Sequence, residues 1–462
     1  MRLRTVFCLA VAGIVALPAV GRSDSEPSIA DEPAAVETSV AGAAARLQAQ
    51  LEEPALADLV AEALHRNPGI AAAQARARSA AERVAHVRSL PDPVLNLGVF
   101  VLTPETRTGS QLVSLGLMQG LPWFGKLALK EQAALLAATA LEADVEAERL
   151  GLVTEIRRLV HEIRFLDRYR EITESFGSHL SQHEEIARAR YSTGVGQGQG
   201  VVKLQAAITR LDRQLLDIAS RRVSLVSRLN SLRDREASAV FVMGEVRGVE
   251  EVTGGLEELT SEALEARPEM AASRARIAAA ETLVALAEKG RRPDFTVGLT
   301  YTLVDPRDDP AGRLQPPAGN GDDILGIQGG VTLPVRRQRI TAGIDEARES
   351  LTAAREGQRL VATTIRGAVA DLVQQLPLSW QQIHLSRDVL TIQAEEALES
   401  AQAGYVAGTL NALDLLDAEH VLFEAHTAVA RSTADYLIAL AKLEGAVGMP
   451  LRDVTHREGP TS

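Results

Sequence analysis

Leu56-Ala-Asp-Leu59-Val-Ala-Glu62-Ala63-Leu64-His-Arg-Asn67-Pro68 returns as Leu256-Glu-Glu-Leu259-Thr-Ser-Glu262-Ala263-Leu264-Glu-Ala-Arg267-Pro268, 200 residues later. The spacing holds without a gap through Arg76/Arg276 and Ala80/Ala280 to Gly98/Gly298. Tyr191-Ser-Thr-Gly194 and Tyr405-Val-Ala-Gly408 form a second matched pair. A unit of this length far exceeds the roughly 20–50 residues of a solenoid module, so it is read as a duplicated half-molecule. Each half is a long helical stretch interrupted by one short β-hairpin.

The helical signal is continuous. Leu141, Val145, Leu152, Ile156, Leu159, Ile163 and Leu166 follow steps of 3, 4 or 7, a stripe near 3.6 residues per turn. Leu204, Leu211, Ile218, Leu225 and Leu232 keep a heptad, as do Leu415, Leu422, Val429, Tyr436 and Leu443. In the second set the companion positions are small: Ala418, Ala425, Ser432, Ala439 and Ala446. Large knobs beside small residues let helices approach closely, as in coiled coils. The stretches 126–190 and 336–404 would each reach roughly 100 Å at about 1.5 Å per residue. Two shorter pieces, 200–232 and 256–290, match the first, and 411–447 with 54–90 match the second. Pro377 is expected to kink the second long helix near its middle.

At the opposite end from the Tyr-x-x-Gly turns the period changes to 2. Phe295, Val297, Leu299, Tyr301 and Leu303 alternate with Thr296, Gly298, Thr300 and Thr302. Leu325, Ile327, Gly329, Val331 and Leu333 do the same, as do Leu95, Leu97, Val99 and Val101, then Val113, Leu115 and Leu117. Strands of 9–10 residues, apolar on one side and small or polar on the other, have the dyad pattern of membrane-spanning β-strands. A half-buried soluble sheet shares the pattern. Four strands cannot close a barrel, and lipid does not tolerate an open edge. If these strands span, several chains must pool them, and three chains give twelve.

The N-terminus reads as an address. Arg2 and Arg4 precede an apolar run from Val6 to Leu17, and Ala19-Val20-Gly21 offers a cleavable spacing of small residues. This is a secretory signal over 1–21, too short to span a bilayer as a helix. Residues 22–53 form an acidic, Ala-rich lead-in, and 451–462 a tail. Cys8 is the only cysteine, so the mature chain forms no disulfides. A net charge of −12 without a basic stripe argues against nucleic acid.

Asn67-Pro68, Arg267-Pro268, the Tyr-x-x-Gly turns, Leu225-Val-Ser-Arg228-Leu229-Asn230 and Leu440-Ala-Lys-Leu443-Glu444-Gly445, taken in this order and spacing, resemble the outer-membrane factor family, of which TolC is the type. The likeness covers about residues 54–450. Pro91-Asp92-Pro93 and Leu121-Pro122-Trp123-Phe124-Gly125-Lys126 look most like its heavy-metal-efflux branch. The resemblance implies a mixed, mostly α fold: duplicated coiled-coil hairpins forming an α-barrel, over a trimeric 12-stranded transmembrane β-barrel. Its first repeat would span 54–255, with a β-hairpin at 94–119 and a mid-height segment at 233–255. The second would span 256–450, with a β-hairpin at 295–333.

It further implies a homotrimeric conduit in the outer membrane of a Gram-negative bacterium, most of it periplasmic. The conduit would be docked through a periplasmic adaptor to an inner-membrane pump of the RND type. The rival is a soluble periplasmic coiled-coil scaffold. The adaptor contacts are placed at the helix tips, Tyr191, Gly194 and Gly196 on one and Tyr405, Gly408 and Leu410 on the other, with Asp414 as pore gate. Gly194, Gly196, Gly198 and Gly200 depart from the family's single tip glycine.

Gly194-x-Gly-x-Gly-x-Gly200 is read as a helix reversal and not a phosphate cradle, because no strand leads in and no Lys-Ser/Thr follows. His179 and His183 share a helix face, as a metal pair would; exposed solvated histidines are the commoner case. Glu184 and Glu185 read as surface charges. Asp414, Asp417 and Glu419 open the last helix, where they favour its dipole or would ring a pore entrance. No nucleophile–base motif, His-Glu-x-x-His or nucleotide motif occurs, so neither an enzyme nor a cofactor is expected.

Overall fold

The structure is a computed structural model that describes residues 54–194, 198–244 and 249–451. The signal, the lead-in, Gly196 and nearly all of the tail lie outside the described residues. Helices α1 (Pro54–Arg66) and α2 (Pro68–Arg88) lead to strands β1 (Val94–Val99), β2 (Glu105–Thr106) and β3 (Gly109–Leu121). Then come the long α3 (Lys126–Ser192) and the returning α4 (Gly198–Leu232). The second half repeats this order with α5 (Leu256–Ala266), α6 (Pro268–Glu288), β4 (Asp294–Asp305), a short α7 (Pro310–Leu314) and β5 (Ile324–Thr332). It ends with α8 (Arg337–His384), a π-helical turn (Leu385–Leu390), α9 (Thr391–Ala407) and α10 (Ala412–Val447).

The repeated prolines explain the matching breaks. Pro68 and Pro268 each sit at the first position of a new helix, where a missing N–H costs nothing. Asn67 caps α2 by accepting from Ile70 N at 3.1 Å, and donates Nδ2 to Leu232 O at 2.8 Å. Arg267, its counterpart, donates Nη1 to Ala446 O at 3.2 Å. Each break therefore ties to the end of its own returning helix.

The four main strands form one antiparallel sheet in the order β1-β3-β4-β5. Register puts like with like. Leu97 faces Leu115, Leu115 faces Tyr301, and Tyr301 faces Leu325; one residue on, Asn96 faces Gly116, which faces Thr300, which faces Gly326. One face is thus a continuous apolar band and the other is small and polar. On the band Leu95, Leu97, Val99, Leu325 and Ile327 are all exposed. β1 is shorter than the alternation implies: it ends at Val99, and Val101 lies beyond it.

The helices take the same order as the strands. α3 packs against α2 and α6, and α6 against α8; toward the turns α3 packs against α4 and α10, and α10 against α8 and α9. α2 runs into β1, β3 into α3, α6 into β4 and β5 into α8. Two cores repeat where the short helices break. One joins Leu59, Val60 and Ala63 to Val153, Ile156, Leu159, Val160 and Leu229. The other joins Leu259 and Ala263 to Ile365, Val369, Tyr436 and Leu443. Tyr436 Oη also donates to Glu250 O and accepts from Val252 N, both at 2.9 Å, which pins the connecting segment to α10.

The long second helix does not break at Pro377. α8 runs through it, and the departure from α geometry is the π turn at Leu385–Leu390. The amide lost at Pro377 removes a single hydrogen-bond rung, and the π turn begins eight residues further on.

His161 on α3 is buried and held neutral: burial first, then the charges of Arg157 and Arg164, push its pKa down to about 3. An unfolded histidine titrates near 6.5, so the unfolded chain binds the extra proton between these values. Its contribution is complete above pH ~6.5 and is lost as pH falls toward 3, with about 2 kcal/mol gone at pH 5. His161→Leu should flatten that loss. Melting temperatures at pH 7.5 and pH 5 that fall equally for both proteins would refute this.

Candidate functional site: the paired helix tips

The far ends of the long helices carry the predicted site. At the first, α3 ends at Ser192 and Gly194 takes φ +76°, a left-handed conformation that strains any residue with a Cβ. Its N–H donates to Tyr191 O at 3.1 Å. Gly198 and Gly200 are the first residues of α4 and belong to its helix. At the second, Gly408 takes φ +77° and donates to Tyr405 O at 3.2 Å. Thr409 N and Leu410 N both donate to Gly404 O, at 2.9 and 3.1 Å, and Leu410 packs beside Gly404. Asn411 then caps α10.

The two tips touch. Arg190 Nη1 donates to Tyr405 O at 3.1 Å, and its guanidinium lies 4.3 Å from the centre of the Tyr405 ring. A Cβ on Gly200 would meet Ala412 at 3.5 Å, so the first turns of α4 and α10 approach closely. The tyrosines of the repeated motif are not equivalent. Tyr405 is buried beneath Arg190, whereas Tyr191 is half exposed and lies against Gly198. The short Tyr-x-x-Gly match carries no information about that difference, which comes from a residue on the other tip.

The acidic residues separate into distinct roles. Asp414 is exposed and its Oδ2 accepts from Asn411 N at 3.0 Å, while Asn411 Oδ1 accepts from Leu413 N and Asp414 N. That is a reciprocal capping box. Asp417 is exposed. Glu419 is only 2% exposed and accepts from His183 Nε2 at 3.0 Å, with His179 Nδ1 3.7 Å away. It is not a residue that lines an open entrance. His179 and His183 are accordingly neither a free pair nor simply solvated; they link α3 to α10. Glu184 is also buried, accepting from Arg188 and from Gln205 Nε2 at 2.8 Å, while Glu185 is exposed. The surface reading of Glu184 and the pore-entrance reading of Glu419 fail because both faces are covered, one by α4 and one by α3.

Among the described residues no group of three or more His, Cys, Asp or Glu is arranged to hold a metal ion. No described helix is long and apolar enough to cross a membrane. The strands carry a row of exposed apolar side chains, among them Leu95, Leu97, Val99, Leu325 and Ile327.

Three solved structures share this fold at low identity. The outer membrane protein VceC from Vibrio cholerae aligns with a TM-score of 0.70 at 21% identity, over 86% of this chain and 96% of its own. The Campylobacter jejuni CmeC outer membrane channel aligns at 0.68 and 17%, over 86% of each chain. The open state of the Neisseria gonorrhoeae MtrE outer membrane channel aligns at 0.68 and 19%, over 86% and 90%. No curated protein matches the sequence. These likenesses give no support to a soluble scaffold. The family model for outer membrane efflux proteins matches residues 59–234 and 259–449, one block on each copy of the duplication. The chain therefore belongs to the outer membrane efflux protein family and is an efflux channel of the outer membrane.

Proposed function

We propose that three copies of this chain close into one conduit that carries exported molecules from an inner-membrane pump of the RND type, through a periplasmic adaptor, across the outer membrane. The carrying observation is the shared order of strands and helices, which leaves both layers with the same two free edges. β1, α2 and α4 form one, and β5, α8 and α9 form the other. Lipid requires the strand edges to pair. The edges differ, so the contact is head-to-tail and closes as a ring. Exposed apolar side chains mark both helical edges: Val202, Leu216 and Val223 on α4, and Leu378, Leu385 and Val406 on the other. Twelve strands come from three copies. The repeats 54–255 and 256–450 are then the two structural halves of each wall segment.

The adaptor contact is assigned to the tips, through Tyr191, Gly194, Gly196, Gly408 and Leu410, with Tyr405 supporting the turn from beneath. Small residues there let a partner's helical hairpin reach the backbone. Asp414 is placed at the closable aperture, where three copies of an exposed carboxylate would gather. The chemistry is passive passage, and no catalytic group is assigned.

Gly408→Trp tests this reading. The protein should insert, keep the mass of three chains in detergent, and lose export, since the left-handed turn strains a bulky residue and its ring blocks the tip. Full export by an assembled Gly408→Trp channel would return the tips to ordinary turns. A mass of one or four chains would overturn the ring.

A further inference from the structure

The end of the sheet that meets the helices gathers cations. Lys126 and Lys130 follow β3, Lys289, Arg291 and Arg292 precede β4, and Arg336, Arg337 and Arg339 follow β5. Lys126 is committed to Asp294 at 2.7 Å. No ion pair among the described residues engages Arg291, Arg336, Arg337 or Arg339, and all four are exposed. Arg336, Arg337 and Arg339 line one open recess with Ala342. The other end of the sheet has the opposite sign: Glu105, Asp305, Asp308, Asp309, Asp322 and Asp323 outnumber Arg107, Arg307 and Arg313. A chain of net charge −12 thus places a basic rim at one end of its apolar band.

Aromatic residues stand at the same rim. Trp123 stacks on Phe295 at 5.6 Å, one step beyond the row in which Leu121, Phe295 and Val331 pair. The Arg292 guanidinium lies 5.8 Å from the Trp123 ring centre, and Phe124 is 80% exposed. On β5's continuation the exposed Leu333 and Val335 give way directly to Arg336 and Arg337. Helix stability gives no reason for these charges. The first turn of α8 is basic with no acidic residue, where the helix dipole disfavours cations. An apolar band ending in amphipathic rings and then unpaired cations matches the boundary between acyl chains and anionic headgroups.

We propose that Arg336, Arg337 and Arg339, with Arg291, Arg292 and Trp123, form a belt that binds the phosphate headgroups of anionic phospholipid in the leaflet facing the helices. The inference rests on the reading of the sheet as membrane-spanning. It adds that the inner rim selects headgroup charge and so sets the depth and orientation of the barrel.

Trp123 reports directly. The only other tryptophan, Trp380, packs 5.2 Å from Tyr436 in the mid-height core, so a Trp123→Phe protein supplies the baseline. The channel is reconstituted in phosphatidylcholine bilayers in which either phosphatidylcholine or phosphatidylglycerol carries brominated acyl chains at equal mole fraction. Brominated phosphatidylglycerol should quench Trp123 several-fold more steeply, with the difference lost at high salt. Arg336→Gln/Arg337→Gln/Arg339→Gln should equalise the two lipids while both still quench; an Arg291→Gln/Arg292→Gln protein should reduce the difference if the triple variant does not assemble. Equal quenching in the unmodified channel overturns the headgroup selection and leaves the spanning sheet standing. Quenching by neither lipid overturns the placement of the sheet itself. Inorganic phosphate that shifts Trp123 emission as strongly in neutral detergent would assign the cations to soluble anions and overturn the lipid belt.

Discussion

Replacing Arg157 with methionine should remove about 3–5 kcal/mol of stability, the cost of leaving a buried carboxylate without its counter-charge. Arg157 Nη1 lies 2.5 Å from Glu444 Oε2, and the two side chains are only 11% and 10% exposed. The pair joins α3 to α10 and hence one half of the duplication to the other. Little else can satisfy Glu444. Its Oε1 accepts only the Leu451 N–H, at a long 3.3 Å. Removing both charges together, in Arg157→Met/Glu444→Leu, should recover most of the loss, since a buried ion pair is worth little more than apolar residues of similar volume. The measurement is denaturant unfolding followed by helical signal in detergent. A single variant within about 1 kcal/mol of the unmodified protein would mean that the pair is solvated in the assembled channel.

That pair shows where the sequence stops being readable. Everything periodic was legible. The 200-residue repeat located the breaks at Pro68 and Pro268, since proline acts on its own backbone. Alternation in 295–303 located a two-faced strand, since side chains on a strand point to opposite faces whatever the partner. Gly194 and Gly408 were legible as turns because only the local backbone demands them. Arg157 and Glu444 are 287 positions apart, and nothing in the sequence pairs them. Each looks like a solvated charge on an amphipathic helix until the opposing helix is placed. Glu184 and Glu419 were misjudged in the same way, and Tyr405 differs from Tyr191 only because Arg190 arrives from the other tip. The small companion residues of α10 did announce a close contact, and Ala425, Ser432, Ala439 and Ala446 are buried. They could not say that α3 was one of the helices received.

Leu299→Arg and Thr300→Arg should differ sharply although the residues are adjacent. Leu299 lies near the middle of β4 in the row Leu117–Leu299–Ile327, and Leu117 and Ile327 are exposed on the apolar band. Thr300 lies in the row Asn96–Gly116–Thr300–Gly326 on the polar face. If the band faces lipid, an arginine at 299 carries its charge to mid-bilayer depth, at about 2–4 kcal/mol per chain. A ring of three copies would bear that cost three times, enough to block insertion. At 300 the same arginine meets glycine on both neighbouring strands, so it has room and water in the lumen. That channel should insert, trimerise and pass export with altered preference for charge. The comparison uses one substitution, one strand and one depth, so it isolates the face. Recovery of both variants in the outer membrane at equal yield would mean that the apolar band is covered by protein. The sheet would then be a soluble one, and the membrane would have to be reached by other residues.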